Sequence, residues 1–241
     1  PIARTVEDLA RTYDAMQGPD ARDAAWADRP NEPALPHLEE GAASLRIAVL
    51  GGYFSKGGEP QAHAAVATVA RALNASRCVE LPAVAAARAA AYVITASEGG
   101  QFHLERLRTR SHEFDPATRD RFRAGALMPA AWYLQAQRFR SWWREQVRAI
   151  FAGVDVLIAP ATPVAATRLG QEEMILDGTP LPVRHHLGLF TQPISFAGLP
   201  VVTAPVQSDA PLPIGVQLIA APWRERYALR VARHLERDGV C

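Results

Sequence analysis

Lysine and cysteine are nearly missing from this 241-residue chain. Among its 26 Lys and Arg residues only Lys56 is a lysine, so any chemistry that needs a deprotonatable amine has one candidate. Arginine side chains keep their proton throughout the working pH range. Cys78 and Cys241 are too few and too unpatterned for a disulfide framework or a zinc site, and both are expected to stay reduced. Charge of one sign is not in surplus either. With 26 basic and 25 acidic residues the formal net charge is +1, which speaks against a sequence-wide grip on nucleic acid and leaves only a local anion site open. No apolar run approaches the roughly 18 residues of a membrane-spanning helix. The first residues, Pro1-Ile2-Ala3-Arg4, do not have the basic-then-apolar layout of a signal segment. These absences predict a cytoplasmic protein with neither a nucleic-acid nor a membrane partner. What remains is the composition of a folded globular chain, 49% hydrophobic and 21% charged, which excludes disorder.

Hydrophobic spacing divides the chain into alternating strands and helices. Thr5 to Asp8 has capping-box spacing, and Val6, Leu9, Ala10 and Tyr13 then recur as on one helix face. Residues 18–41, interrupted by Pro19, Pro30, Pro33 and Pro36, read as a surface excursion. Residues 45–50 form a short buried strand, Val66, Val69, Ala70 and Leu73 mark the next helix, and 78–81 form a second strand. Residues 83–151 are helical, with Phe139, Trp142, Trp143, Gln146, Val147 and Ile150 predicted on one face. Strands follow at 154–159, 200–205 and 214–220, and Ala228, Val231, Ala232 and Leu235 make a closing helix. The fold class is therefore α/β.

Common catalytic signatures fail one by one. Ser97 sits in Thr95-Ala96-Ser97-Glu98-Gly99 and lacks the first glycine of a nucleophile elbow. His112-Glu113 has no second histidine of a zinc helix, and the adjacent His185 and His186 would point apart on a helix or a strand. Lys56, between Gly51-Gly52 and Gly57-Gly58, matches neither a dinucleotide fingerprint nor a phosphate loop and reads as a solvated loop lysine. His63, His103 and His234 read as packing or surface histidines. No metal and no cofactor is expected.

Three segments of the second half carry more. They are Asp155-Val156-Leu157-Ile158-Ala159-Pro160-Ala161-Thr162-Pro163, then Thr191-Gln192-Pro193 running to Gly198-Leu199-Pro200, and then Leu212-Pro213-Ile214-Gly215-Val216-Gln217. In this order they resemble the carboxy-terminal half of the amidase signature family, and Pro1-Ile2-Ala3-Arg4-Thr5-Val6-Glu7-Asp8 resembles the stretch that follows that family's catalytic core. The segments 97–100, 124–133 and 136–140 are similar to the family's carboxybiuret-hydrolysing subgroup.

The resemblance implies part of the amidase signature fold, a mixed β-sheet flanked by helices and incomplete without an upstream half, with residues 1–241 as the carboxy-terminal portion of a single amidase domain. It also implies amide hydrolysis by a serine nucleophile, a bridging serine and a lysine base, all in a Gly/Ser-rich segment ahead of the position matching Pro1. The eight serines here have no Ser-Ser-Gly context, so no catalytic residue is expected in this chain, which alone is expected to be inactive. Pro1 is expected to be an internal position of a protein roughly twice as long.

What the chain is expected to contribute is a wall of the substrate pocket. Arg121 matches an arginine that grips a substrate carboxylate in the family's amidotransferases, although a solvated helix face bearing several arginines is the reading of the residues alone. Tyr92 matches, at the same position or one residue away, a tyrosine that lines the pocket in related enzymes, although a core tyrosine at helical spacing is the reading of the residue alone. Thr191 is expected at the pocket end of a strand, or as a turn cap. Where those amidotransferases place an acid for the substrate's amino group, this chain has Gly188, which points to an acid that is not an amino acid, such as a carboxylate-bearing amide or biuret-like compound. The implied partners are that small-molecule amide substrate, further copies of the chain and a small accessory subunit. A non-catalytic half-fold that binds or assembles, and a split enzyme completed by a second chain, stand as the alternatives.

Overall fold

The computed structural model describes residues 1–206 and 211–241. In chain order its elements are α1 (Val6–Met16), β1 (Ile47–Leu50), α2 (Pro60–Ala72), β2 (Cys78–Val79), α3 (Val84–Phe102), α4 (Leu104–Thr109), α5 (Pro116–Ala126), α6 (Ala130–Ile150), β3 (Val156–Pro160), β4 (Glu173–Leu176), β5 (Thr179–Pro182), α7 (Val183–His186), α8 (Thr191–Ala197), β6 (Val201–Val206), β7 (Ile214–Ala220) and α9 (Glu225–Arg237). They form two compact units, Pro1–Glu80 with Phe151–Phe190 and Leu199–Cys241, and Leu81–Ile150 with Thr191–Gly198.

The first unit is built on a mixed sheet of order β2-β1-β3-β7-β6, in which β2, β1 and β3 are parallel and β7 is antiparallel to both β3 and β6. Alternation in β1 buries Ala48 and Leu50, whereas every residue of the central β3 is buried, as expected of a strand covered on both faces. Ala62, Val66 and Val69 of α2 and Ala228, Val231, Ala232 and Leu235 of α9 pack with Val156, Ile158, Val216 and Leu218. Each large aliphatic side chain so buried contributes about 1.5–3 kcal/mol.

Arg46 and Asp155, one residue ahead of β1 and β3, clamp the entry of that parallel pair. The guanidinium donates from Nε to Oδ2 at 3.0 Å and from Nη2 to Oδ1 at 2.9 Å, the Arg46 amide donates to Oδ2 at 2.8 Å, and the Asp155 amide returns a bond to the Arg46 carbonyl at 2.7 Å. These bonds hold the Asp155 carboxyl below its ordinary value of 3.8, the Arg46 side-chain hydrogen bond being the largest cause.

At the amino-terminal end Thr5 caps α1, Asp8 N donating to Thr5 Oγ1 at 3.1 Å. The proline-rich excursion is not wholly superficial. It ends in a 3-10 turn, Leu35–Glu40, that buries Leu38 against Ala10 and Leu229, and the Asp14 carboxylate accepts from the amides of Ala34 and Leu35 at 2.7 and 3.0 Å. A hairpin, β4–β5, buries Met174 and Leu176 and exposes Ile175; it turns at Asp177-Gly178, both with positive φ.

The second unit is helical. At the crossing of α3 and α5 a Cβ on Gly125 would overlap the Ala96 carbonyl, one on Gly100 would strike backbone atoms of Phe122 and Ala126, and one on Gly99 would enter the Phe122 ring. The two backbones touch only because these residues are glycine. On α6 the buried residues are Ala136, Trp143 and Val147; Trp142 is 44% exposed and Gln146 is exposed. The expected face is thus displaced, since the indole of Trp143 is the one that finds a partner for its N–H, the Pro82 carbonyl at 2.6 Å.

Thr191 does not end a strand. It opens α8, a short helix in which Pro193 is tolerated because the N–H groups of a first helical turn have no intrahelical acceptor. Phe196 of α8 lies 5.9 Å from the Trp143 ring, and Arg140 Nε donates to the Phe196 carbonyl at 3.1 Å. No helix among the described residues is long and apolar enough to cross a membrane.

Candidate functional site

Three arginines alternate along α5, and their partners differ. Arg119 and Arg123 both reach the Asp120 carboxylate, at 3.2 and 3.5 Å, and Arg123 also donates to Ser111 Oγ at 2.6 Å. These two fit a solvated helix face on which one carboxylate serves both guanidinium groups. Arg121 does not. Its Nη2 donates to Thr95 Oγ1 at 2.9 Å, its guanidinium carbon stands 4.9 Å over the Tyr92 ring, and its Nε is buried with no hydrogen-bond partner. Among the described residues no carboxylate pairs with Arg121.

The local sequence accounts for this arrangement. Tyr92 and Thr95 are three residues apart on α3, hence neighbours on one helix face. The glycine contact at Gly125, one turn after Arg121, brings α5 against that face. Structure thus brings Arg121 and Tyr92 together and adds Thr95, which no motif singles out; the Tyr92 to Thr95 interval is the signal available. Thr191 makes no hydrogen bond with either among the described residues, although its neighbour Gln192 accepts from Arg88 of α3 at 3.1 Å, one turn before Tyr92.

Further along α3 an open groove of about 410 Å³ is lined by Ser97, Glu98, Gln101, Met128 and Tyr133, where the Tyr133 hydroxyl donates to Glu98 Oε1 at 2.9 Å. Ser97 Oγ lies 3.4 Å from Met128 Sδ rather than beside a base. Lys56 is exposed after a 3-10 turn and bonds no serine among the described residues.

In the first unit the motif residues hold the scaffold. Gln217, 1% exposed, donates through Nε2 to the carbonyls of Pro160 at 2.7 Å and Phe190 at 3.2 Å, tying β7 to the end of β3 and to the buried Phe190. Asp155 is the strand clamp already described.

A mixed sheet flanked by helices, with this order of motifs, defines an amidase-type α/β chain. The Amidase family model matches residues 1–229, and the chain belongs to the amidase signature family. It is 51% identical over 243 residues to AtzE of Pseudomonas sp. (strain ADP), a 1-carboxybiuret hydrolase subunit, covering 100% of this chain and 53% of that protein. It is 33% identical over 267 residues to a glutamyl-tRNA(Gln) amidotransferase subunit of Myxococcus xanthus (strain DK1622), covering 99% and 54%. Among solved structures it superposes with a TM-score of 0.97 and 50% identity, over 99% of this chain and 53% of the other, on the inhibitor-bound form of an unexpected vestigial protein complex described as revealing the evolutionary origins of an s-triazine catabolic enzyme. The corresponding amidotransferase subunit of Thermotoga maritima shares the fold, with a TM-score of 0.79 at 22% identity over 98% and 52%. The chain spans about half the length of the curated relatives it matches.

Proposed function

We propose that these residues belong to one amidase domain of an amide-bond hydrolase, in which they form the pocket wall for a small carboxylate-bearing amide or biuret-like substrate. The observation that carries this reading is Arg121, held by a hydroxyl and an aromatic face, with no carboxylate paired to it among the described residues and with Nε unbonded. Such a guanidinium is short of an acceptor, and a planar carboxylate supplies one through paired N–H···O bonds. Tyr92 lines the same wall and offers its hydroxyl to a substrate carbonyl, and Thr191 contributes from the start of α8. Gly188, where related amidotransferases hold an amino group with an acid, supports a substrate without an ammonium group. Identity to a protein named as part of a 1-carboxybiuret hydrolase supports the same class.

The residues proposed here bind and orient; none is proposed as nucleophile or base. The 241-residue chain by itself should therefore not hydrolyse carboxamides, and measurable turnover of malonamide by it would move the nucleophile into this sequence and overturn the assignment. Further copies of the chain and a small accessory subunit are proposed as partners, in keeping with a relative described as a protein complex. The anchor itself is tested in the intact protein with malonamate, which carries a carboxylate beside its amide. Arg121→Lys should lower kcat/KM for malonamate about ten- to hundredfold, the effect of losing a charge-assisted, two-pronged contact. An unchanged value sinks the anchor role.

A further inference from the structure

Resting on that reading of Arg121, we propose that Thr95 is a positioning residue that sets the guanidinium for a substrate carboxylate while leaving its positive charge unspent. Two contacts constrain the planar group in complementary ways. The Tyr92 ring beneath Cζ, at 4.9 Å, restricts the tilt of the plane, and the bond from Nη2 to Thr95 Oγ1, at 2.9 Å, restricts rotation within it.

The direction of the second bond is determined by the helix. Thr95 Oγ1 lies 2.8 Å from the Ala91 carbonyl, four residues back on α3, and 3.3 Å from that of Tyr92. The single hydroxyl proton is thus committed to backbone acceptors, and only lone pairs face Arg121. A guanidinium, which has donors and no acceptor, meets an oriented acceptor whose own rotamer is pinned by the main chain.

The chemistry of that acceptor matters as much as its place. Arg119 and Arg123, on the same helix, each reach the Asp120 carboxylate, so part of their charge is offset within the chain. A hydroxyl at position 95 instead holds Arg121 with a neutral dipole. Five N–H donors leave four after the Thr95 bond, and the full positive charge remains for an anionic ligand. An acid at the same position would hold the side chain at least as firmly and cancel the charge that the ligand needs.

The readout is the ratio of kcat/KM for malonamate to that for malonamide in the intact protein, with KM and kcat separated. Thr95→Val, which keeps the shape and removes the acceptor, is expected to lower the ratio about five- to twentyfold through KM for malonamate, and Thr95→Ser to restore it to within about threefold. Thr95→Asp is expected to abolish the preference for malonamate. A merely structural role predicts something else: Val and Asp would depress both substrates alike and leave the ratio where it was, and that result overturns the proposal. If Arg121→Lys collapses the ratio while Thr95→Val and Thr95→Asp do not, the anchor stands and the positioning role falls. If Arg121→Lys also leaves the ratio unchanged, the underlying reading fails instead.

Discussion

Gly125 of α5 lies against the Ala96 carbonyl of α3 with no space for a β-carbon between them. Because the obstacle is main chain rather than the tip of a flexible side chain, Gly125→Ala can be accommodated only by moving one helix, and overpacking of this kind costs about 2 kcal/mol or more. Thermal unfolding should show a Tm lowered by about 4–8 °C for a chain of this size. An unchanged Tm would mean that the two helices are not seated as described.

Tyr92 contributes a face to Arg121 and carries a hydroxyl beyond it, and substitution separates the two. A cation–π contact at a partly exposed site is worth about 0.5–1 kcal/mol, so Tyr92→Ala should lower kcat/KM for malonamate in the intact protein about two- to fivefold. Tyr92→Phe keeps the ring. If it retains wild-type kcat/KM the ring is what matters, and a tenfold loss would assign the hydroxyl a direct bond to the substrate.

The Arg46 clamp depresses the Asp155 carboxyl, so the sign of its pH effect is determined. A carboxylate whose folded value lies below its unfolded value stabilises the protein above the ordinary value, here 3.8, and loses that contribution as pH falls through the folded value. Asp155→Asn should therefore destabilise the chain at pH 7 and do so progressively less below about pH 4. Urea unfolding of both proteins at pH 7, 4 and 3 measures the difference. A penalty of equal size at all three would show that charge plays no part. Arg46 is more than half exposed, so added salt should also shrink the penalty at pH 7.

How much of this was legible in the sequence depends on what kind of contact decided each element. Thr5 with Asp8, and the Ala228, Val231, Ala232 and Leu235 face of α9, are local periodicities, and the structure reproduces them. The amidase motifs likewise led to the right family. The hairpin at Asp177-Gly178 had its signal in two residues that accept positive φ, flanked by alternating Met174, Ile175 and Leu176, but lay outside the expected strands. Thr191 was expected at the pocket end of a strand or as a turn cap, and instead opens α8, whose first turn has no need of the N–H that Pro193 lacks. The face of α6 was misplaced because apolar spacing cannot tell which of two adjacent tryptophans has a carbonyl waiting for its indole. In the candidate site, Arg121 and Tyr92 were visible as residue types, but Thr95 acquires meaning only from the helix crossing. That crossing rests on absent side chains, to which hydrophobic patterning is blind.

The bonds between Arg46 and Asp155 also act as an index mark for the sheet. Strands β1 and β3 pair as Ile47 with Val156, Ala48 with Leu157 and Val49 with Ile158, and a slip of one residue would turn the buried Ala48 and Leu50 to the opposite side. Hydrophobic content alone discourages that error only weakly here, because β3 is apolar on both faces and would present a greasy surface in either alignment. The clamp is intolerant where β3 is permissive. Moving β1 by one position would carry Arg46 away from its mate and forfeit the paired side-chain bonds and both bonds made by the backbone amides together, so the alignment of the parallel strands is decided one residue ahead of them.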